Sequence, residues 1–424
     1  MSRAEVPGPL DAANAFLATI RPGSRILVAL SGGGDSVGLL IALKKALDES
    51  GGTHSLCAAT IDHRLRAAST AEAKAMARLC EARCIPHLTL AWDDPKPDKG
   101  LSDAARQARY RLLVQALDRF EAHLIVTAHT LEDQMETVEM RRNRAAQFNR
   151  GLSGIAPSTL FYGKAWAFRP FLNVSRGSIR EFLRGEAVTW FEDPSNDNIA
   201  FERVRIRKAG AFALSEEAIV EVAAKRRAVS AASAKIVREH VTMPVPLLFR
   251  VEAGQDAGDE ALGLAVAALM GVAGGTPFLP AEPAVTRLLH YLGNHARHAS
   301  ASLNRTVVTK RRDVLFITRD GRNIPPAVSA GGTREVIWDG RFRICSGEGK
   351  TIGGADAGLD VGAVPPVVLK RALSTLPGTA VEHAIFYQPV LAPYEVVLPD
   401  FDLELVQAIR TVMRLPPVPD RPIV

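Results

Sequence analysis

The feature that most constrains this chain is an unbroken apolar run, Ile26-Leu27-Val28-Ala29-Leu30. It stops at Ser31-Gly32-Gly33-Gly34-Asp35-Ser36 and gives way to Val37, Leu39, Leu40, Leu43 and Leu47 at helical spacing. Apolar residues without alternation describe a strand buried on both faces, and the switch to a 3.6-residue period marks a helix. The segment therefore reads as strand, tight turn, helix. The same alternation continues, with strands expected near Leu56–Ile61, Leu88–Trp92 and Leu124–Thr127 and helices near Thr70–Arg83, Asp103–Phe120 and from about Leu131. Repeated βα units imply a doubly wound parallel sheet covered on both faces, an α/β fold that takes ligands at the carboxyl ends of its strands. The glycine turn lies at such an end.

Beyond Gly151 the pattern loosens, and an arginine-rich helical segment, about Ser175 to Lys208, closes a first domain over residues 1–210. Ser215 to His240 reads as a long helix with Lys225-Arg226-Arg227 exposed, and a helical character is expected to continue to about Gly293, giving a mainly helical domain over 211–320. Pro325, Pro326, Gly331 and Gly332 mark a linker. After it, Asp339-Gly340 stands between Arg334–Trp338 and Arg341–Ile344, a pair suited to a tight hairpin turn. A small mixed α+β domain is expected over 333–424.

Composition narrows the function classes. A chain of 424 residues that is 47% apolar and 23% charged has core-forming composition, not that of a disordered chain. Cys57, Cys80, Cys84 and Cys345 show no C-x-x-C pairing and read as reduced thiols, and no charged-then-apolar leader opens the chain, so a cytoplasmic protein is expected. The longest uncharged run, Ala261 to Ala281, is interrupted by Gly274, Gly275 and Pro277 and reads as a buried helix and a turn, not a membrane span. The net charge is +6, with clusters at Arg141–Arg150 and at Arg203, Arg205, Arg207 and Lys208 that either contact phosphate or form a solvated surface. His290, His295 and His298 fit no common zinc spacing.

The chemistry centres on the glycine turn. Three successive glycines let backbone approach an anion, and the helix start that follows presents unpaired N–H groups to phosphate. The turn is neither a dinucleotide G-x-G-x-x-G nor a Walker A loop, since no Gly-Lys-Ser/Thr follows. On its own it would equally serve as a turn capped by Asp35 or Ser36.

Its companions decide between these readings. Ser-Gly-Gly-x-Asp-Ser after a first strand resembles the pyrophosphatase-type (PP) loop of synthetases that use ATP to adenylate an oxygen. Asp62-His63-Arg64-Leu65-Arg66, Ala104-Ala105-Arg106-Gln107-Ala108-Arg109-Tyr110, Ala128-His129-Thr130-Leu131-Glu132-Asp133-Gln134-Met135-Glu136-Thr137, Arg169-Pro170-Phe171-Leu172 and Trp190–Asn196 follow in the order found in the tRNA(Ile)-lysidine synthase family. The resemblance covers residues 25–210 and is fainter beyond, at Trp338–Phe342 and Leu398–Phe401. It implies a PP-loop ATPase-like fold and a ligase that uses ATP and Mg²⁺ to join L-lysine to C2 of the wobble cytidine in the CAU anticodon of tRNA(Ile). An adenylated tRNA is the intermediate, and AMP and pyrophosphate are released. A tRNA thiolase on the same loop, or a catalytically degenerate tRNA-binding relative, are the rivals; oligomeric state is left open.

The resemblance assigns candidate residues. Ser31, Gly32, Gly33, Gly34, Asp35, Ser36, Asp62, His63 and His129 would contact ATP; Asp35 and Asp133 would hold Mg²⁺; Asp35, Asp133 and Arg205 would be catalytic; Arg106, Arg109 and Arg207 would touch substrate or tRNA. Alternatives stand beside several of these. Thr130 and Asp133 have the spacing of a helix-capping pair, His129 reads equally as structural, and Asp62 and His63 as the end of a strand. Arg106 and Arg109 share a helix face that is either a phosphate contact or ordinary surface. The chain departs from the family in having Glu132 before Asp133, Val204 between arginines, and a different loop over residues 142–151.

Overall fold

The computed structural model of the chain describes residues 7–65, 68–144, 150–192, 199, 202–210, 212–252, 260–295, 297–326, 336–345, 361–377 and 386–424. Arg66, residues 193–196, residues 145–149 of the divergent loop, and Gly331, Gly332, Arg334 and Glu335 lie outside them. The chain divides into two compact units, Met1–Ala224 with Pro419–Val424, and Lys225–Val418.

In the first unit a short helix α1 (Pro9–Leu17) precedes β1 (Arg25–Ala29), α2 (Gly34–Ser50), β2 (Ser55–Asp62), α3 (Ala68–Glu81), β3 (His87–Ala91), α4 (Leu101–Arg119), β4 (Leu124–Val126) and α5 (Leu131–Arg144). Each expected βα unit is present, with boundaries shifted by one or two residues, because long apolar runs and helical periods are the strongest local signals. The hairpin β5 (Ser158–Phe161) and β6 (Ala165–Phe168) follows, then α6 (Arg176–Gly185), α7 (Glu202–Ala209) and the start of α8 (Glu216–His240). These strands lie in the order β5-β6-β4-β1-β2-β3. β1 pairs in parallel with β2 and β4, β2 with β3, and β4 with β6, while β5 runs antiparallel to β6. β1 is thus central, and its neighbours β2 and β4 lead away on opposite sides, which opens a crevice at its carboxyl end. Leu27, Ile125, Ala59 and Tyr110 belong to the core beneath that crevice.

In the second unit the helical character expected up to Gly293 is interrupted. α8 runs into an antiparallel pair, β7 (Val241–Val245) and β8 (Leu248–Glu252), before α9 (Glu260–Gly274) and α10 (Glu282–Gly293). Three further strands, β9 (His298–Leu303), β10 (Thr306–Arg311) and β11 (Val314–Arg319), complete a sheet ordered β7-β8-β11-β10-β9. α9 is buried almost throughout and ends at the Gly274-Gly275 turn, as its uncharged sequence suggested. Among the described residues no helix is long and apolar enough to cross a membrane.

The Asp339-Gly340 turn joins β12 (Val336–Trp338) to β13 (Phe342–Cys345), with φ of 54° and 70° at the two turn residues. The Arg341 N–H closes the turn on the Trp338 carbonyl at 3.0 Å, and the positive φ at both positions suits this residue pair. Arg226 is not the exposed residue its basic neighbours suggest. Its guanidinium lies 2.7 Å from the buried carboxylate of Asp402 and 4.8 Å from the centre of the Phe401 ring.

Candidate active site

β1 ends at Ala29, and the chain turns through Gly32 at φ +89° before α2 begins at Gly34. The positive φ at Gly32 is a conformation L side chains rarely adopt, so glycine is required there. Two further contacts use the missing side chains: a Cβ on Gly32 would lie 3.2 Å from the Phe191 ring, and one on Gly34 would lie 3.2 Å from Trp190. Phe191 donates its N–H to the Gly32 carbonyl at 2.9 Å, so residues 190–192 lie against the loop. Ser36 ties the loop together, accepting from the Ser31 N–H at 3.1 Å and donating to the Gly33 carbonyl at 3.0 Å. No side chain caps α2. Its first N–H groups are therefore available to an anion.

The loop opens into a cleft of about 550 Å³ lined by Ser31, Gly33, Gly34, Asp35 and Ser36 together with His63, Arg106, Arg109, His129, Asp133 and Arg207. Sequence positions spread over about 175 residues thus meet at one mouth. Three expected contacts do not line it: Gly32, which only shapes the turn, and Asp62 and Arg205. Asp62 is buried and both its oxygens are engaged, accepting from the Arg64 N–H at 2.9 Å, Ser69 Oγ at 2.7 Å and Thr70 Oγ1 at 2.8 Å. It builds the turn after β2 and does not line the cleft. Arg205, expected to be catalytic, is exposed and donates to the Ile199 carbonyl at 2.9 Å. Arg203 and Arg207, four residues apart on α7, share a face and line the cleft, while Arg205 between them points off that face.

Asp133 makes the helix cap that its spacing allowed and also lines the cleft. One oxygen, Oδ2, accepts from the Thr130 N–H at 2.9 Å while Asp133 N–H lies 3.4 Å from Thr130 Oγ1, the reciprocal cap of a helix start. The other, Oδ1, accepts from the Arg176 guanidinium at 2.7 Å.

Arg176, which the sequence did not single out, organises the acidic wall. Its guanidinium reaches Asp35 at 3.5 Å, Asp133 at 2.7 Å and Glu136 at 2.8 Å, joining carboxylates from α2 and α5. Its side chain is 12% exposed and that of Glu136 is 0% exposed. Glu136 also meets Arg207 at 2.8 Å and Arg203 at 3.4 Å, so a fully buried carboxylate is held by three guanidiniums. Glu132, the departure from the family, has its own task. Both its oxygens accept from the Arg176 backbone N–H at 3.0 Å, which fixes the first residue of α6. Glu136 was visible in the Ala128–Thr137 motif, three residues after Asp133 and hence on the same face. Arg176 had no local signal beyond its place after the N-cap Ser175.

These surroundings set the charges. Burial raises Asp35 to about 6; the Arg176 guanidinium opposes that rise and the nearby Asp133 carboxylate adds to it. His129 is held well below its usual value by burial and by the positive charge of Arg169, Arg109, Arg106 and Arg203, so it is neutral near pH 7. Its Nδ1 lies 2.9 Å from Thr127 Oγ1. Asp35 and Asp133 flank one guanidinium, and two carboxylates sharing one cation suit a hard divalent ion that also binds phosphate oxygens. Among the described residues there is no group of three or more His, Cys, Asp or Glu side chains that could hold a metal ion.

The geometry agrees with what comparison with other proteins finds. Residues 11–210 match the PP-loop domain family. A tRNA(Ile)-lysidine synthase of Mesorhizobium japonicum is 37% identical over 94% of this chain and 94% of its own. The chain belongs to the tRNA(Ile)-lysidine synthase family. Members from Rhizobium meliloti, at 34% over 94% of each chain, and Brucella canis, at 32% over 91% of this chain and 93% of its own, extend the match through both units. The family consists of carbon–nitrogen ligases, and its PP-loop domain implies use of ATP. Among solved structures, the U34-tRNA thiolase NcsA from Methanococcus maripaludis with its [4Fe-4S] cluster aligns with 47% of this chain and 70% of its own at 13% identity and a TM-score of 0.39, a likeness too slight to argue from.

Proposed function

We propose that the chain joins the ε-amine of L-lysine to C2 of the wobble cytidine in the CAU anticodon of tRNA(Ile), in two steps at this cleft. In the first, the C2 oxygen attacks the α-phosphorus of ATP and pyrophosphate leaves. In the second, the lysine amine attacks C2, AMP leaves with the former C2 oxygen, and the amine loses a proton. The observation that carries the reading is the meeting of Asp35 and Asp133 on Arg176 beside the uncapped start of α2. The helix amides and loop backbone bind the pyrophosphate portion of ATP and favour its developing charge.

Asp35 and Asp133 would hold Mg²⁺, which when bound neutralises phosphate charge and orients the leaving pyrophosphate. Asp133, which lines the cleft, would take the amine proton. Arg203 and Arg207 flank Glu136 and bring positive charge to the cleft, where phosphate and the adenylate bind. Neutral His129 offers the activated base a hydrogen-bonding nitrogen without adding charge.

The thiolase alternative needs a reactive thiolate. Burial pushes Cys57 up to about 12 and Cys80 up to about 11, and Cys84 stands exposed, so these three do not supply a reactive pair. The deciding experiment incubates the full-length protein with ATP, Mg²⁺, labelled lysine and a CAU-anticodon transcript. Lysine incorporation that is lost in Asp35→Asn supports the ligase; tRNA binding without incorporation by the unaltered protein removes it and leaves the degenerate relative.

A further inference from the structure

Arg176 lines the cleft, and each nitrogen of its guanidinium meets a different carboxylate: Nε lies 3.5 Å from Asp35, Nη2 2.7 Å from Asp133 and Nη1 2.8 Å from Glu136. Glu132 pins its backbone N–H, so the side chain leaves a fixed point at the start of α6. None of the three carboxylates relies on this arginine alone for its place. Asp35 belongs to the first turn of α2, Asp133 is capped onto Thr130 through Oδ2, and Glu136 is also met by Arg203 and Arg207. What Arg176 adds is charge. With it, Asp35, Asp133 and Glu136 face Arg176, Arg203 and Arg207, and this wall has no negative charge in surplus to draw a free cation.

We infer that Arg176 guards the aspartate pair: it keeps Asp35 and Asp133 from a free divalent cation and yields them only to one that arrives with the phosphates of ATP. The inference deepens the proposed function and rests on its assignment of Mg²⁺ to that pair. A guanidinium lying on both carboxylates competes with any other cation for them, and a second cation beside it is repelled. The phosphates of a nucleotide bring the negative charge that tips this balance. Arg176 can then release the aspartates without losing its counter-ion, because its Nη1 donates to Glu136, whose side chain is fully buried. Arg176 is thus a positioning residue that acts through the two aspartates, and the arrangement makes metal binding conditional on nucleotide.

Metal binding by the full-length protein tests this without turnover. Mn²⁺, whose free concentration is read from its electron paramagnetic resonance signal, is titrated into the unaltered protein, R176Q, R176K, D133N and the double variant R176Q/D133N, with and without a non-hydrolysable ATP analogue. Without nucleotide, R176Q is expected to bind Mn²⁺ about tenfold more tightly than the unaltered protein, and the double variant to lose that gain. R176K keeps the positive charge and is expected to bind as weakly as the unaltered protein. The analogue is expected to raise the affinity of the unaltered protein by about tenfold, a usual size for coupling between two ligands. An arginine that served only as scaffold predicts the opposite sign, since its removal loosens the carboxylates. R176Q that binds Mn²⁺ no better than the unaltered protein therefore overturns the inference, as does an unaltered protein that binds it equally well with and without the analogue. If R176Q does not fold, the unaltered protein decides: Mg²⁺ without nucleotide is expected to shift its thermal midpoint no more than that of D133N, and a larger shift overturns the guard. D133N with undiminished affinity for Mn²⁺ in the presence of the analogue would defeat the assignment of the metal and the inference with it, whereas loss in D133N with no gain in R176Q defeats the inference alone.

Discussion

Gly38 on α2 and Ile179 on α6 meet where no β-carbon fits: one built on Gly38 would overlap Ile179 Cγ2 and lie 3.7 Å from Ile179 Cβ. The contact matters because α2 carries Asp35 and α6 begins with Arg176, so the closeness of the helices sets the reach of that ion pair. Gly38→Ala forces the helices apart, an overpacking that costs about 1–3 kcal/mol. The variant is expected to unfold at lower urea and to lose lysine incorporation. Adding Ile179→Leu, which removes Cγ2, should recover part of both. An alanine variant with unchanged midpoint and rate would show that the helices do not need this approach.

The arginines of α7 make a sharper comparison. Arg203 and Arg207 face the cleft and Arg205 does not. Arg203→Gln is expected to reduce the ATP-dependent rate at least tenfold, and Arg205→Gln to change it less than twofold. Side-by-side rates at saturating and limiting ATP check this; equal losses would return Arg205 to the site.

Glu136 has no exposed side-chain surface, and three guanidiniums depend on it. Removing one partner of a buried ion pair typically costs about 3–5 kcal/mol, because the remaining charge is left without compensation. Glu136→Gln keeps the shape and removes the charge, so a loss of about that size is expected in equilibrium urea unfolding. A loss below about 1 kcal/mol would mean that water or rearrangement compensates the arginines.

How much of this was legible depended on the range of the interaction. Ile26–Leu30 and the helical spacing of Val37 to Leu47 declare β1 and α2 because each pattern is written in neighbouring residues. Asp339-Gly340 announced its turn for the same reason, since both residues tolerate positive φ. β9, His298-Ala-Ser-Ala-Ser-Leu, did not announce itself: its small residues have little intrinsic preference for a strand, and pairing with β10 makes it one. Arg226 sits in a basic run that looks solvated, yet its partner Asp402 is 176 residues away. Arg176 is the same case in the site. It follows a helix cap, and nothing within ten residues shows that Asp35, Asp133 and Glu136 will converge on it. The motif order found the cleft; only the fold shows which charges face it.

In the second unit Asp339 has a fully buried carboxylate that meets Arg305, Arg319 at 3.0 Å and Arg341 at 2.6 Å, so one turn residue binds β11, the β9–β10 turn and its own hairpin. Burial would raise this carboxyl, but hydrogen bonding from Arg319 and the charge of Arg341 override it and hold the group below its usual range. The sign of the pH dependence follows. A carboxyl depressed in the folded state contributes stability that is present above its unfolded value, about 4, and is lost as pH falls through the lower folded value. Asp339→Asn is therefore expected to be less stable than the unaltered protein by a constant amount above about pH 5, on the order of 3 kcal/mol from the broken buried pairs. The difference should shrink below about pH 4, where the aspartate itself becomes protonated. Urea midpoints of both proteins across that range, followed by a probe of the second unit such as Trp338 fluorescence, measure it. A difference that stayed constant to the lowest pH would mean that the turn is held by its backbone conformation and not by the charge of Asp339.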